Sequence, residues 1–132
     1  MFARDFFCKR ESLPCIREFI RLHLSELEDI TSNQIILAVD EVCANAIIHG
    51  RGRKEPFQLK ISILSIHNQI TVEITDTAEP YPIPIPTQTS AAEKIKMRAK
   101  GGLGLVLVQK IMDQIEIERL PDAHIIRMIK RI

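Results

Sequence analysis

The sequence predicts an α+β domain, a two-layer α/β sandwich with three helices on one face of a mixed, mostly antiparallel sheet. Apolar residues recur at helical spacing in three segments, β-branched runs fill four others, and the opening segment also reads as a strand. Their order is β-α-α-β-β-loop-α-β-β, in which strands and helices come in runs rather than in strict alternation. A chain of 132 residues holds one such domain (1–132) and not comfortably two.

The stretch "MFARDFFCKR" reads as the first strand. Ser12 is placed to cap a helix running to about Leu27, with Pro14 tolerated in its first turn and Ile16, Phe19, Ile20, Leu22 and Leu24 as its apolar positions. Thr31 or Ser32 is placed to cap a second helix that continues to about His49, where Gly50 can terminate it in the left-handed conformation. The runs "FQLKISILSI" and "ITVEITDT", joined by "HNQ", predict an antiparallel hairpin. From Ala78 to about Gly102 the periodicity breaks, and "AEPYPIPIPTQTS" carries four of the seven prolines. A loop this long inside a compact domain is usually functional or mobile. "LGLVLVQKIMDQ" predicts a third helix preceded by glycines, and "IEIER" and "HIIRMIKRI" predict two closing strands around "LPDA".

The formal net charge is only +1, so nothing points to bulk electrostatic attraction to nucleic acid or to a membrane surface. No apolar run approaches the roughly 20 residues of a membrane span. The early charges of the N-terminus argue against a signal peptide. The three cysteines, Cys8, Cys15 and Cys43, form no C-x-x-C pair and have apolar neighbours, which predicts reduced core thiols in a cytoplasmic protein. His23, His49, His67 and His124 are dispersed and show no zinc-site spacing.

The second helix contains "AVDEVCANAIIHG", with polar residues set among apolar ones. On a helical wheel Ile35, Ile36, Val39, Cys43, Ala46 and Ile47 fall within an arc of roughly 120°, a stripe able to pack on the sheet. Glu41 and Asn45 share the opposite face and His49 follows one turn later, with Gln34, Ala38 and Ile48 beside them. Asp40 sits at the edge of the packing stripe. A solvated outer face accounts for such a line, and so does the wall of a cleft. Ala38 and Ile48 are not solvent-type residues, and Asn is roughly 0.6 kcal/mol worse than Ala within a helix. A cleft wall of this kind has coherent chemistry. An Asn oxygen is a neutral ligand for magnesium, whose charged ligands can be phosphates. A carboxylate one turn away can accept the proton of a hydroxyl or water attacking a γ-phosphate.

Asp76 ends a hydrophobic strand, where a buried carboxylate needs partners. The amino group of adenine is a suitable donor; a plain turn aspartate is the other reading. The run "KGGLGLVLVQK" places Gly101, Gly102 and Gly104 at a helix start, where backbone N–H groups can approach phosphate oxygens. A simple capping turn explains those glycines equally well. Arg98 and Lys100 can add positive charge for phosphate or stand as solvated loop cations.

Taken together, "DEVCANAIIHG", "EITDTAEPYP" and "KGGLGLVLVQKIMDQIEI" resemble the asparagine box and the two glycine boxes of the histidine-kinase-like ATPases, the GHKL superfamily. Within it the chain looks like the bacterial anti-sigma factor serine/threonine kinases. Their E-x-x-x-N-A-x-x-H pattern matches at Glu41, Asn45, Ala46 and His49. Their D-x-[GA]-x-P-[FY]-x-P pattern matches at Asp76, Ala78, Pro80 and Tyr81, with Pro84 reached only by a shifted last spacing and Pro82 one position early, and their second glycine box matches almost throughout from Gly101 to Asp113. The resemblance implies a Bergerat-type ATP-binding fold using ATP and Mg2+. Glu41 would be the general base, Asn45 the magnesium ligand and Asp76 the adenine-recognising residue, with an ATP lid at about 78–101. The implied nucleotide-binding set is Asn45, His49, Asp76, Ala78, Arg98, Lys100, Gly101, Gly102, Leu103, Gly104 and Leu105.

The implied activity is an ATP-dependent protein serine/threonine kinase that holds a sigma factor and phosphorylates an anti-sigma antagonist protein on serine. It would be a homodimer in the cytoplasm with no direct nucleic-acid or membrane contact. Two departures favour an alternative, a weak or inactive anti-sigma module acting by protein contact alone. Ala78 stands where the wider superfamily has glycine. Many relatives also place a threonine on the last strand near adenine, for which Arg127 is the nearest match. A sensor-kinase reading is disfavoured because the chain lacks an H-[ED]-x-x-x-P phosphoacceptor box.

Overall fold

The computed structural model describes residues 1–49, 58–77 and 103–132. In chain order the elements are β1 (Phe2–Phe7), a 3-10 turn (Arg10–Ser12), α1 (Leu13–His23), α2 (Asp29–His49), β2 (Gln58–Ile66), β3 (Gln69–Asp76), α3 (Leu103–Ile111), β4 (Gln114–Leu120) and β5 (Ala123–Arg131). The predicted succession of strands and helices is therefore present. Gly50 and the long segment after Thr77 lie outside the described residues.

Two helix boundaries differ from the sequence reading. α1 stops at His23, where the Leu24 N–H turns back to the Arg21 carbonyl at 3.2 Å and tightens the final turn. α2 begins at Asp29, so Thr31 and Ser32 lie inside it and do not cap it. The Ser32 N–H already donates to the Glu28 carbonyl at 2.9 Å. Asp29 in the first turn also places negative charge at the positive end of the helix dipole.

The five strands form one sheet in the order β1-β2-β3-β5-β4, and every pairing among the described strands is antiparallel. The β2–β3 hairpin turns on His67 and Asn68, with φ of 53° and 59°. Left-handed backbone at both central positions matches the strand twist, and Asn and His tolerate it better than most non-glycine residues.

Alternation along the strands divides the sheet into two faces. Leu59, Ile61 and Ile63 of β2, Ile70, Val72 and Ile74 of β3, and Ile126 and Met128 of β5 are buried toward the helices. Ile16, Phe19 and Ile20 of α1 and the packing stripe of α2 complete this core. Each such side chain contributes about 1.5–3 kcal/mol through burial. Rings seat α1 on β1: Phe6 meets Phe19 edge-on at 5.7 Å, and Phe2 stacks on His23 at 4.0 Å. Arg17 Nε donates to Asp40 Oδ1 at 2.7 Å, so Asp40 ties α2 to α1. Cys43 is buried, and desolvation, aided by Asp40 and Cys8, raises its thiol pKa. Cys15 departs from the expected core thiol: it is exposed, because α1 turns Ile16, Phe19 and Ile20 inward instead.

On the other face, Glu73, Arg127 and Glu116 stand opposite one another across β3, β5 and β4. Arg127 donates to Glu116 at 2.8 Å and to Glu73 at 3.1 Å, and these hydrogen bonds raise its pKa. This corrects the expectation for Arg127, which points away from the helices and is engaged by two carboxylates. Such a half-exposed pair of ion pairs contributes modestly and is screened by salt. Arg127→Ala should lower stability by about 1 kcal/mol at low ionic strength and by less in high salt. Urea denaturation at two salt concentrations checks this; an equal loss at both would contradict the electrostatic account.

Candidate functional site

α2 packs on α1, α3 and β3. Two spaces fix its direction over the sheet. A cleft of about 450 Å³ brings Glu28, Thr31 and Gln34 beside Lys130 and Arg131 of β5. Further along α2, Val42 lines a small apolar cavity with Leu105 and Val108 of α3 and Ile126 of β5. The helix therefore runs antiparallel to β5, and its last turns, from Asn45 to His49, extend toward the end where β5 begins. That end carries His124, paired in register with Asp76, the last residue of β3. α3 also starts there: Leu105 meets the Val42 level, whereas the Ile111 carbonyl accepts from Lys130 Nζ at 2.8 Å near the opposite end. The second half of α2, the end of β3, the start of β5 and the N-terminus of α3 thus converge.

The side chains at this end differ in exposure. Glu41 and Asn45 are half-buried on adjacent turns of α2. The outward ridge of α2 beside them exposes Leu37 and Ile48. Ala38 is fully buried. It joins Val42 in a buried arc wider than the predicted stripe, because α3 covers that flank of α2 as the sheet covers its base. Glu41 and Asn45 consequently stand at the border between packed and open surface.

Asp76 and His124 are 3% and 1% exposed and face the helices, so both polar side chains are built into the floor beneath α2. A buried carboxylate is costly unless its oxygens are hydrogen-bonded.

The other expected site residues divide into three groups. His49 is the last residue of α2, and Leu103 and Gly104 open α3, so all three belong to the converging elements by their backbone position. Leu105 is buried and lines the apolar cavity with Val42, which places its side chain in the core. Ala78, Arg98, Lys100, Gly101 and Gly102, and with them the lid, lie outside the described residues.

Sequence reasoning missed His124. It assigned the last-strand position to Arg127, which lies on the opposite face. The strand's inward set is His124, Ile126 and Met128, but Ile125 and Ile129 supply apolar residues to the outer face as well. Hydrophobicity on both faces concealed the parity.

Among the described residues no group of three His, Cys, Asp or Glu side chains could hold a metal ion. Asn45 offers one neutral oxygen. That donor set fits magnesium, which keeps several waters and takes one or two protein oxygens along with substrate phosphates.

The sequence matches the family model described as Histidine kinase-like ATPase domain over residues 8–130. It is similar to the anti-sigma F factor of Clostridium botulinum strain Eklund 17B, at 29% identity over 116 residues, covering 86% of this chain and 81% of that protein. The anti-sigma F factor of the Alaska strain of the same species matches with the same 29% identity and coverage. The fold is similar to the RsbU and RsbW domains of Rv1364c from Mycobacterium tuberculosis, with TM-score 0.66 and 12% identity over 99% of this chain. This chain spans 32% of that protein's length. It is also similar to the catalytic domain of the histidine kinase ThkA, with TM-score 0.55 and 15% identity, covering 99% of this chain and 96% of that one. At these identities the structural likeness speaks for the fold alone. The family model spans nearly the whole sequence, and the chain belongs to the histidine kinase-like ATPase domain family.

Proposed function

We propose that the chain is an ATP-dependent protein serine/threonine kinase and anti-sigma regulatory factor that phosphorylates an anti-sigma antagonist protein on serine. The observation that carries this reading is the convergence of Glu41 and Asn45 on α2, the buried Asp76 and the N-terminus of α3 at one end of the molecule. The regulatory part rests on similarity to the anti-sigma F factors of Clostridium botulinum.

In this reading Asp76 accepts a hydrogen bond from the exocyclic amine of adenine. The triphosphate extends toward α3, whose N-terminal N–H groups favour negative charge. Asn45 would give a side-chain oxygen to a magnesium ion bound with ATP, which would supply neutralisation of the phosphate charge. Glu41, one turn from Asn45, takes the proton of the attacking serine hydroxyl. The remaining catalytic effect is positioning and electrostatics. Arg127, which with Ala78 motivates the alternative of a nucleotide-independent binding module, lies on the far face of the sheet. Partners in this reading are a sigma factor, the antagonist and a second copy of the chain, in the cytoplasm. No helix among the described residues is long and apolar enough to cross a membrane.

Incubation with labelled Mg-ATP and the cognate antagonist should transfer phosphate to an antagonist serine. ATP binding without any transfer would remove the kinase assignment. Glu41→Ala should keep ATP affinity within about twofold while transfer falls by roughly 10²–10⁴-fold. Equal transfer by mutant and wild type would refute the base assignment.

Asp76→Asn should weaken ATP binding by about 1–3 kcal/mol in titration calorimetry, since the amide presents a donor toward the amine. An unchanged Kd would show that this carboxylate does not contact the base. For the homodimer, β1 is an edge of the sheet among the described strands, with an unpaired backbone side that a second copy could extend. Sedimentation velocity should return twice the 15.1 kDa of one chain. A monomer at tens of micromolar would contradict dimerisation.

A further inference from the structure

α1 and α2 meet solvent differently. α1 exposes Glu18 and Arg21, which pair with each other. α2 contains no lysine or arginine, and its exposed side chains include Ile30, Leu37 and Ile48, at 72%, 42% and 52%. A surface helix ordinarily carries charged and polar residues on the face away from the core. At about 100° per residue, Leu37 lies about 40° and Ile48 about 20° from Glu41, toward the flank where Asp40 meets α1. Asn45 lies about 40° the other way, toward the flank where Val42 meets α3. Glu41 therefore stands on the boundary between two unlike surfaces. One is polar and leads through Asn45 to the N-terminus of α3. The other is an apolar ridge about 16 Å long, from Leu37 to Ile48.

A group that takes the proton of an attacking hydroxyl must come within about 2.6–3.2 Å of it. Nucleotide and hydroxyl-bearing partner therefore both approach Glu41, and the Asn45 flank is the nucleotide's. Resting on the kinase reading above, we propose that the apolar ridge bracketing Glu41 is the docking surface for the phosphoacceptor protein. The occupant is a segment with apolar side chains on both sides of the phosphorylated serine, one set against Leu37 and the other against Ile48. Covering the ridge takes water away from Glu41, and a buried carboxylate has to be hydrogen-bonded. The serine O–H supplies that donor. An acidic residue beside the serine would meet Glu41 with like charge, so neutral neighbours are favoured. A partner with the same apolar surface but no hydroxyl there leaves Glu41 without its donor and is rejected.

The experiment is steady-state transfer from Mg-ATP to the cognate antagonist, with the antagonist varied at saturating ATP. Leu37→Gln and Ile48→Gln should each raise KM for the antagonist about 10-fold, with kcat and ATP affinity within about twofold of wild type. Leu37→Met and Ile48→Leu, which keep the apolar bulk, should stay near wild type. Ile30→Gln, on the same line of α2 but about 16 Å along the helix from Glu41, should leave KM unchanged. An unchanged KM in both Leu37→Gln and Ile48→Gln would overturn the proposal, and so would an equal rise in Ile30→Gln. Sedimentation velocity on the same variants tests a second copy as the occupant: loss of a dimer with KM unchanged would likewise overturn it. Transfer that continues at the wild-type KM leaves the kinase reading standing, whereas a wild-type chain that binds ATP and transfers nothing overturns both.

Discussion

Burial of α2 between two helices and a sheet constrains the rest of the molecule. The helix is 21 residues long, and its core positions include Ile35, Ala38, Val39, Val42, Cys43 and Ala46. So broad a contact leaves polar side chains only at its borders. On the border toward α1, Asp40 is engaged by Arg17 and fixes one helix against the other. On the border toward α3 stand Glu41 and Asn45, beside the elements that meet at the candidate site. Residues adjacent in sequence thus receive different tasks because successive helix positions are separated by about 100°.

The sheet separates its polar chemistry in the same way. Its outer face holds Glu73, Arg127 and Glu116 in a half-exposed row, where water and salt temper the attraction. Its inner face holds Asp76 and His124 beneath the helices, where the local dielectric is lower and each hydrogen bond matters more. The outer row joins three strands, while the inner pair marks the end of one ladder. Arg127 and His124 lie only three residues apart on one strand, yet they belong to these two different settings.

The architecture was largely legible in the sequence because each element carries a strong period and the turns carry recognisable chemistry. The antiparallel hairpin, the late helix and the closing strands all follow from pattern. The start of α2 was misplaced because Thr31 and Ser32 resemble caps, while Asp29 is equally suited to an opening turn. At the candidate site, the shared position of Glu41 and Asn45 on one border of α2 was legible through their four-residue spacing. His124 was not, because β5 is apolar on both faces and only the partner strand reveals which residues point inward. The burial of Ala38 was not legible for a related reason: a wheel describes one helix and cannot include the neighbour that covers its flank.

The turn at His67 and Asn68 has a consequence far from its own position. It joins the ends of β2 and β3 remote from Asp76, yet it sets the register by which Leu59 is paired with Asp76. Strand side chains alternate, so a slip of one residue would carry Asp76 to the outer face and bring Thr75 inward. The hairpin therefore acts as a molecular ruler. The length of its turn decides the parity of a residue eight positions away, and a single insertion there would erase the carboxylate from the floor without altering any residue near it.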